Sequence, residues 1–183
     1  MKIGVILARF QPIHNGHIHL IKQACKENEE VIIFIGSANK LSIRNPIPIE
    51  LREQYVLEAL KEHELEKQCT VKILDDLGEE TDNGLEWGFY LYANIVRFAG
   101  QHNFTMYYSD GFEIITTWFP GYILRHHVSL SLLARGSVES GISATAVRKY
   151  IQDDEVLKIK DNVPKVIYDN RHTIKAFMSV QSK

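Results

Sequence analysis

Two short apolar runs, separated by one helix-length segment, constrain the fold of this chain more than any other feature of its sequence. Residues 2–8 (KIGVILA) and 30–36 (EVIIFIG) are rich in β-branched residues and do not alternate with polar ones, which is typical of strands buried on both faces. Between them, residues 16–28 place their apolar side chains at helical spacing. A strand, a helix and a second buried strand form a βαβ unit, so the sequence predicts a parallel sheet.

The remaining segments continue this alternation. Strands are predicted at 70–75, 104–110 and 122–128, and helices at 48–63, at 85–99, after a Ser143 cap and from Pro164 to about Val180, with Asn15 as the cap of the first helix. This order predicts an α/β fold, a Rossmann-like doubly wound parallel sheet with a C-terminal helix. We expect residues 1–160 to form one domain and 161–183 to be its C-terminal helical extension. Ligands of such sheets bind beyond the carboxyl ends of the strands.

Composition argues against several classes of function. The chain has 183 residues, of which 45% are hydrophobic, and a formal net charge of −2. A nucleic-acid partner is therefore not expected, and no membrane span is predicted, because no apolar stretch is long enough to cross a bilayer. Cys25 and Cys69 lack a C-x-x-C spacing, and we interpret them as structural thiols in a reducing compartment. Since the N-terminus also lacks a signal-peptide pattern, we expect a cytoplasmic protein.

The turn after the first strand carries the strongest functional signal. In ILARFQPIHNGHIHLI, His14, Gly16 and His17 lie where a buried strand gives way to a helix. A helix N-terminus presents N–H groups and a positive dipole end to anions. Gly16 allows close approach to the backbone, and the two imidazoles can donate hydrogen bonds near pH 7. These features predict a phosphate site. The alternatives are turn histidines without a role, or zinc, for which no third ligand of the right type lies nearby in sequence.

A second candidate cluster lies far along the chain, in GISATAVRKYI, residues 141–151. Ser143 and Thr145 place hydroxyl groups at a predicted helix N-terminus, and Arg148 follows within the first turns. Hydroxyl groups and a guanidinium suit an oxyanion. A capped surface helix with an exposed arginine is the alternative for this segment alone. Taken with the first turn, the segment predicts that two helix N-termini converge on a polyphosphate.

Both segments resemble known motifs of one superfamily. ARFQPIHNGH, residues 8–17, resembles the G-R-F-Q-P-x-H-x-G-H turn of nucleotidyltransferases, and ISATAVR, residues 142–148, resembles their I-S-x-T-x-x-R motif. GSANKLSIRNPIPIELR (36–52), DNGLEW (82–87) and SDGFEIITTWFPGY (109–122) resemble segments of nicotinamide-nucleotide adenylyltransferases. These segments look most like those of the archaeal type and of the synthetase domain of bifunctional adenylyltransferase–Nudix proteins. The resemblance covers roughly residues 3–151, and we expect the chain to be the synthetase domain alone, without a Nudix segment.

The sequence departs from the family pattern at three positions. Ala8 stands where the family usually has glycine, Leu51 replaces the usual glutamate before Arg52, and Ser109 stands where some members have a basic residue. The first change keeps a small residue in the turn. The other two concern the pocket of the second substrate more than the ATP site.

The resemblance implies the reaction of ATP with nicotinamide mononucleotide to give NAD and pyrophosphate, by in-line attack on the α-phosphorus. It implies that His14, His17 and Arg148 are catalytic, and that ATP is bound by Arg9, Phe10, His14, Gly16, His17, Ser143, Thr145 and Arg148. It implies a mononucleotide site at Ser37, Asn45, Pro46, Arg52, Trp87 and Asp110. Trp87 is the residue we expect to stack on the nicotinamide ring, with core packing on its amphipathic helix as the alternative. Trp118 is expected in the core, with a place in the pocket as the alternative. Mg²⁺ would be held mainly by ATP, with no dedicated protein site.

Other functions remain open on the sequence alone. The same two motifs serve adenylyl- and cytidylyltransferases for other phosphorylated acceptors, such as pantetheine phosphate and FMN, because acceptor choice is set by loops. A regulatory module that senses NAD or ATP without turnover is a further alternative. The resemblance also implies that the protein could be a homo-oligomer.

Overall fold

A computed structural model of the protein describes residues 1–78, 84–110, 112–134 and 141–181. The described residues form five strands and nine helices: β1 (Ile3–Ala8), α1 (Asn15–Glu27), β2 (Glu30–Ile35), α2 (Ile49–Glu62), β3 (Cys69–Ile73), α3 (Leu85–Ala99), β4 (Phe104–Tyr108), α4 (Phe112–Trp118), α5 (Gly121–His126), β5 (Val128–Leu132), α6 (Ala144–Gln152), α7 (Val156–Asn162), α8 (Lys165–Asp169) and α9 (Arg171–Gln181). Among them, no helix is both long and apolar enough to cross a bilayer. Asp82 and Asn83, which begin the DNGLEW segment, lie outside the described residues.

The five strands form one sheet in the order β3-β2-β1-β4-β5. Every neighbouring pair is parallel, with Val5 opposite Ile32 on one side of β1 and Met106 on the other. The predicted doubly wound parallel sheet is therefore confirmed. Successive strands move outward from β1 in one direction and, after β3, return to its other side. The carboxyl ends of β1 and β4 consequently flank the switch point at which such sheets bind ligands.

Each face of the sheet carries its own hydrophobic core, because successive side chains of a strand point to opposite faces. Ile6 and Ile33 belong to a cluster with α1, α2 and α6, whereas Val5 and Ile32 belong to a cluster with α3, α4 and α5. The first cluster also contains buried residues of the C-terminal helices, namely Ile159, Val163, Val166, Ile167 and Ile174. The C-terminal segment thus packs on the same core as the central strand.

The strand predicted at 122–128 is wrong. This segment forms α5 up to His126, and the fifth strand begins only at Val128. Pro120 at the N-cap, with φ −52°, favours the start of a helix. The true strand, VSLSL, alternates apolar and polar residues because it lies at the edge of the sheet, and the apolar run before it suggested a strand too early.

Some of the other local predictions are confirmed, and others are wrong. Ser143 caps α6, since its Oγ accepts a hydrogen bond from the N–H of Ala146 at 3.2 Å. The N-cap of α1, however, is His14 and not Asn15. The Asn15 side chain instead donates to the carbonyl oxygen of Asp161 at 3.1 Å. The single C-terminal helix predicted from Pro164 is two helices, α8 and α9, and helices α4 and α7 were not predicted.

Gly88 is required where α3 crosses α4. A Cβ atom built on Gly88 would lie 1.5 Å from the carbonyl oxygen of Trp118. We expect Gly88→Ala to lower the free energy of unfolding by about 3 kcal/mol or more, because backbone must move to relieve the overlap. Gly121→Ala is the matched control, since a Cβ atom there meets nothing within 4 Å. Urea unfolding of both variants measures the difference; equal stability would contradict this packing.

Candidate functional site

A cavity of about 700 Å³ opens beyond the carboxyl ends of β1 and β4. It is lined by residues 7–11 and 106–110, and by His17, Leu20, Arg44, Ile115, Trp118, Ala144, Thr145 and Arg148. The turn after β1 and the first turns of α1 and α6 therefore meet at one place. The two sequence motifs predicted that these helix N-termini converge, and in the structure both lie at one cavity.

The two histidines of the first turn are held against each other. Their rings stack with centroids 3.8 Å apart, and the ring of Phe10 lies 4.8 Å from that of His17. The backbone N–H of His14 donates to Nδ1 of His17 at 3.3 Å. Because Nδ1 of His17 accepts this bond, a neutral His17 carries its proton on Nε2. His17 lines the cavity and can offer an N–H donor there, whereas His14 is buried.

Among the described residues, three arginines line the cavity, namely Arg9, Arg44 and Arg148. Arg148 donates from Nη1 to the carbonyl oxygen of Gln11 at 2.7 Å and from Nη2 to Oγ1 of Thr145 at 3.3 Å. Burial lowers the pKa of Arg148, and the nearby charge of Arg9 lowers it further. Arginines that repel one another in a cavity are stabilised by an anion between them. The chain as a whole carries a slight net negative charge. Attraction of an anion to the cavity would therefore come from these nearby arginines and not from the net charge.

Gln11 joins the first turn to the segment between β2 and α2. Its side-chain amide donates to the carbonyl oxygen of Ile47 at 3.1 Å and accepts from the N–H of Ile47 at 2.9 Å. Gln11 is 2% exposed, so both bonds are shielded from water. This pair fixes the position of the segment that brings Arg44 to the cavity. The roles of Gln11 and Arg44 were not predicted, although both lie within the segments that resemble the family motifs.

Arg52 lies beneath the cavity and not in it. Its side chain is fully buried, and it donates to the carbonyl oxygens of Arg9, Gly36 and Ser37 at 3.0, 2.8 and 3.1 Å. Burial lowers the pKa of Arg52 to about 10, with Asp76 and Glu50 opposing the shift. The expected contact between Arg52 and the mononucleotide stays a prediction, and the complete burial of this side chain does not favour it. Its Nη1 and Nη2 donate to backbone that follows β1 and β2, whereas its buried Nε has no hydrogen-bond partner among the described residues.

The other predicted mononucleotide residues divide between the cavity and the interior. Asp110 lines the cavity, whereas Ser37, Asn45 and Pro46 are buried in the segment after β2 and do not line it. Trp87 packs in the second core and is 7% exposed. In the part of the chain that the structure describes, Trp87 does not reach the cavity.

Trp118 takes the place that the sequence analysis gave to Trp87. It lines the cavity from the end of α4, and the edge of its ring meets Trp87 at a centroid distance of 6.4 Å. Its indole Nε1 is buried and has no hydrogen-bond partner among the described residues. A buried N–H donor without a partner is uncommon in folded proteins and calls for an explanation. The signal in the sequence was the Ser109–Asp110 pair, since the chain that leaves β4 there continues into α4.

The predicted ATP residues are largely brought together. Arg9, Phe10, His17, Thr145 and Arg148 line the cavity. His14 and Gly16 line a small adjoining pocket that shares His17 and Leu20 with it. The Ser143 hydroxyl is used to cap α6. Within the described ranges, no group of three or more His, Cys, Asp or Glu side chains could hold a metal ion.

Comparison with known proteins gives one family and several relatives. The family model described as cytidylyltransferase-like matches residues 5–150. The nicotinamide-nucleotide adenylyltransferase of Thermococcus onnurineus is 36% identical over 98 residues, which is 53% of this chain and 50% of that protein. The chain spans about half the length of the curated relatives it matches, such as this one and its counterpart from Thermococcus kodakarensis.

Solved structures share the fold. A bifunctional NMN adenylyltransferase/ADP ribose pyrophosphatase from Francisella tularensis, complexed with AMP and a manganese ion, superposes with a TM-score of 0.66 at 22% identity, covering 83% of this chain and 42% of that one. A nicotinate-nucleotide adenylyltransferase described as putative, from Vibrio parahaemolyticus, gives a TM-score of 0.65 at 16% identity, covering 93% of this chain and 99% of that one. At these identities the likeness shows a common fold.

The position of Arg52 generates a test of stability. Arg52→Met removes the donors to three buried carbonyl oxygens, and we expect it to lower the free energy of unfolding by about 3 kcal/mol. Arg44→Met removes an exposed arginine from the segment between β2 and α2, and it is expected to change the free energy of unfolding by about 0.5 kcal/mol or less. Chemical denaturation monitored by circular dichroism measures both. An Arg52→Met variant as stable as the parent would show that Arg52 does not hold this backbone.

Proposed function

The chain belongs to the cytidylyltransferase-like family, and on that premise we propose that it is an adenylyltransferase that joins ATP and nicotinamide mononucleotide to give NAD and pyrophosphate. The observation that supports this most is the meeting of the α1 and α6 N-termini at one cavity. His17 and Arg148 line that cavity together, at the switch point of the sheet. The names of the curated relatives agree with this choice of acceptor.

The proposed reaction is an in-line displacement at the α-phosphorus of ATP. An oxygen of the mononucleotide phosphate forms a bond to that phosphorus, the bond to the bridging oxygen of the β-phosphate breaks, and pyrophosphate leaves. Such chemistry needs positioning and charge neutralisation more than covalent participation. His17 would donate from Nε2–H to the oxygens of the transferred phosphate. Arg148, Thr145 and the N-terminus of α6 would hold the β- and γ-phosphates, which become the leaving group.

We propose that Mg²⁺ enters with the nucleotide. Magnesium ions on nucleotides keep several waters and need few protein ligands. The cavity fits that mode, because it combines arginines for the phosphate oxygens with the carboxylate of Asp110. The ion would neutralise charge on the triphosphate, and the arginines of this chain would neutralise the rest.

The acceptor pocket would lie against Trp118. The nicotinamide ring of the mononucleotide is flat and cationic and carries an amide, so an indole face suits the ring and an indole N–H suits the amide oxygen. Trp118 lines the cavity with Tyr108 and Asp110, and its Nε1, although enclosed, has no hydrogen-bond partner among the described residues. We therefore assign to Trp118 the stacking role that the sequence suggested for Trp87.

The reaction itself can be tested with a panel of substrates. Pyrophosphate release would be measured with ATP or CTP as donor, and with nicotinamide mononucleotide, nicotinate mononucleotide, pantetheine phosphate or FMN as acceptor. We expect ATP with nicotinamide mononucleotide to give the highest kcat/KM, with NAD as product. Turnover with another acceptor would keep the chemistry and overturn the acceptor. Binding of ATP or NAD without turnover of any pair would support a regulatory module instead.

The catalytic role of His17 has a matched control on the same helix. His17→Ala removes the proposed donor to the transferred phosphate, and we expect kcat to fall on the order of 10²- to 10³-fold. His19, two residues along α1, is exposed and does not line the cavity. His19→Ala should keep kcat within about twofold of the parent. Similar losses in both variants would contradict the assignment of His17.

The two tryptophans can be separated by their kinetic effects. Trp118→Phe keeps an aromatic ring but removes the buried N–H donor, so we expect KM for the mononucleotide to rise about tenfold, as a lost hydrogen bond predicts, with KM for ATP little changed. Trp87→Phe should lower the melting temperature and leave KM near the parent value, because Trp87 is a core residue. The reverse pattern would restore Trp87 as the stacking residue.

A further inference from the structure

Cys25 in α1 and Cys69 at the start of β3 hold their sulfur atoms in contact. The two Sγ atoms lie 3.5 Å apart although the residues are 44 positions apart in sequence. Both are free thiols and both side chains are half-buried. A disulfide bond is about 2.0 Å long, so the sulfurs would need to approach by about 1.5 Å to form one.

The backbone around this thiol pair is fixed by Gln68, which precedes Cys69. The side-chain amide of Gln68 donates to the carbonyl oxygens of Cys25 and Asn28 at 2.7 and 2.6 Å. The carbonyl oxygen of Gln68 accepts from the N–H of Val31 at 2.9 Å. The residue next to one cysteine is thus bonded to the backbone of the other. The sulfur contact is therefore part of how α1 joins the sheet.

The two thiols differ in their chemistry. The two sulfurs share one hydrogen bond, in which either thiol can be the donor. This bond lowers the pKa of Cys25 against the opposing effect of burial. The same hydrogen bond raises the pKa of Cys69, and burial raises it further. A thiolate is the reactive form of cysteine, so Cys25 is the nucleophile of the pair and Cys69 is the thiol beside it.

We propose that Cys25 and Cys69 form an oxidative modification site, at which hydrogen peroxide converts the two thiols into a disulfide. The Cys25 sulfur attacks one peroxide oxygen and the O–O bond breaks; one water leaves with the thiol proton, and Cys25 becomes a sulfenic acid. The Cys69 sulfur then attacks the Cys25 sulfur, the S–O bond breaks and a second water leaves with the Cys69 proton. Two thiols lose two electrons, and one peroxide is reduced to two waters.

The disulfide would stabilise the fold without altering the site at the other end of α1. It would close a long loop in the unfolded chain and tie α1 to the edge strand β3. We expect the melting temperature to rise by about 5 °C or more on oxidation. His14 and His17 lie at the opposite end of α1, so any transferase activity should stay within about twofold. The proposal is independent of the proposed function.

The bond itself is detected by peptide mapping of the full chain. Reduced protein is treated with hydrogen peroxide, blocked with N-ethylmaleimide in denaturant and digested with trypsin. We expect peptide 23–26 (QACK) joined to peptide 68–72 (QCTVK), and its loss after dithiothreitol. Alkylation of both cysteines after peroxide, a sulfinic acid at Cys25 without the cross-link, or cross-linking only between molecules would each overturn the proposal.

Single variants test the order of the two steps. In Cys69→Ser, the sulfenic acid of Cys25 has no resolving thiol and should be labelled by dimedone. In Cys25→Ser, Cys69 should stay unlabelled under the same peroxide treatment. Neither variant should show the rise in melting temperature, which separates the disulfide from oxidation of methionines. Labelling of Cys69 in place of Cys25 would contradict the assigned roles.

Discussion

The backbone of the turn after β1 is held from two sides by arginines, and the candidate site depends on this. Arg52 of α2 donates to the carbonyl oxygen of Arg9, and Arg148 of α6 donates to that of Gln11. Both bonds are charge-assisted and largely shielded from water, so they are stronger than neutral hydrogen bonds. They fix the turn between the α1 and α6 N-termini. Without them, the cavity at the switch point would have no defined wall.

The arginines of this region divide by burial. Arg52 is fully buried and donates hydrogen bonds to carbonyl oxygens, whereas Arg9 and Arg44 line the cavity. Arg148 does both, since it holds the turn and faces the cavity. Burial lowers the pKa of Arg52 to about 10, yet an arginine with that pKa remains charged at neutral pH. In a chain with a net charge of −2, the proposed polyphosphate would thus be held by local charge.

The fold was largely predictable because apolar periodicity reports burial directly. The buried strands β1 and β2 and the helix between them follow from their patterns alone, and the two motifs placed His17, Thr145 and Arg148 at one cavity. The segment 122–128 failed because a short apolar run fits either a strand or a buried helix. Trp87 and Arg52 lie away from the cavity for another reason. Whether an indole or a guanidinium faces a cavity or a core depends on packing between distant elements, and spacing along the chain does not encode it.

We propose that the protein transfers the adenylyl group of ATP to a phosphate acceptor at this cavity. The most direct measurement follows radioactive phosphorus from ATP labelled at the α- or the γ-position, in the presence of nicotinamide mononucleotide and Mg²⁺. We expect the α-label to appear in NAD and the γ-label to appear in pyrophosphate. Release of the γ-label as inorganic phosphate, with the α-label left in ADP, would contradict this proposal. The bond between the β- and γ-phosphates would then have been broken instead of the bond between the α- and β-phosphates.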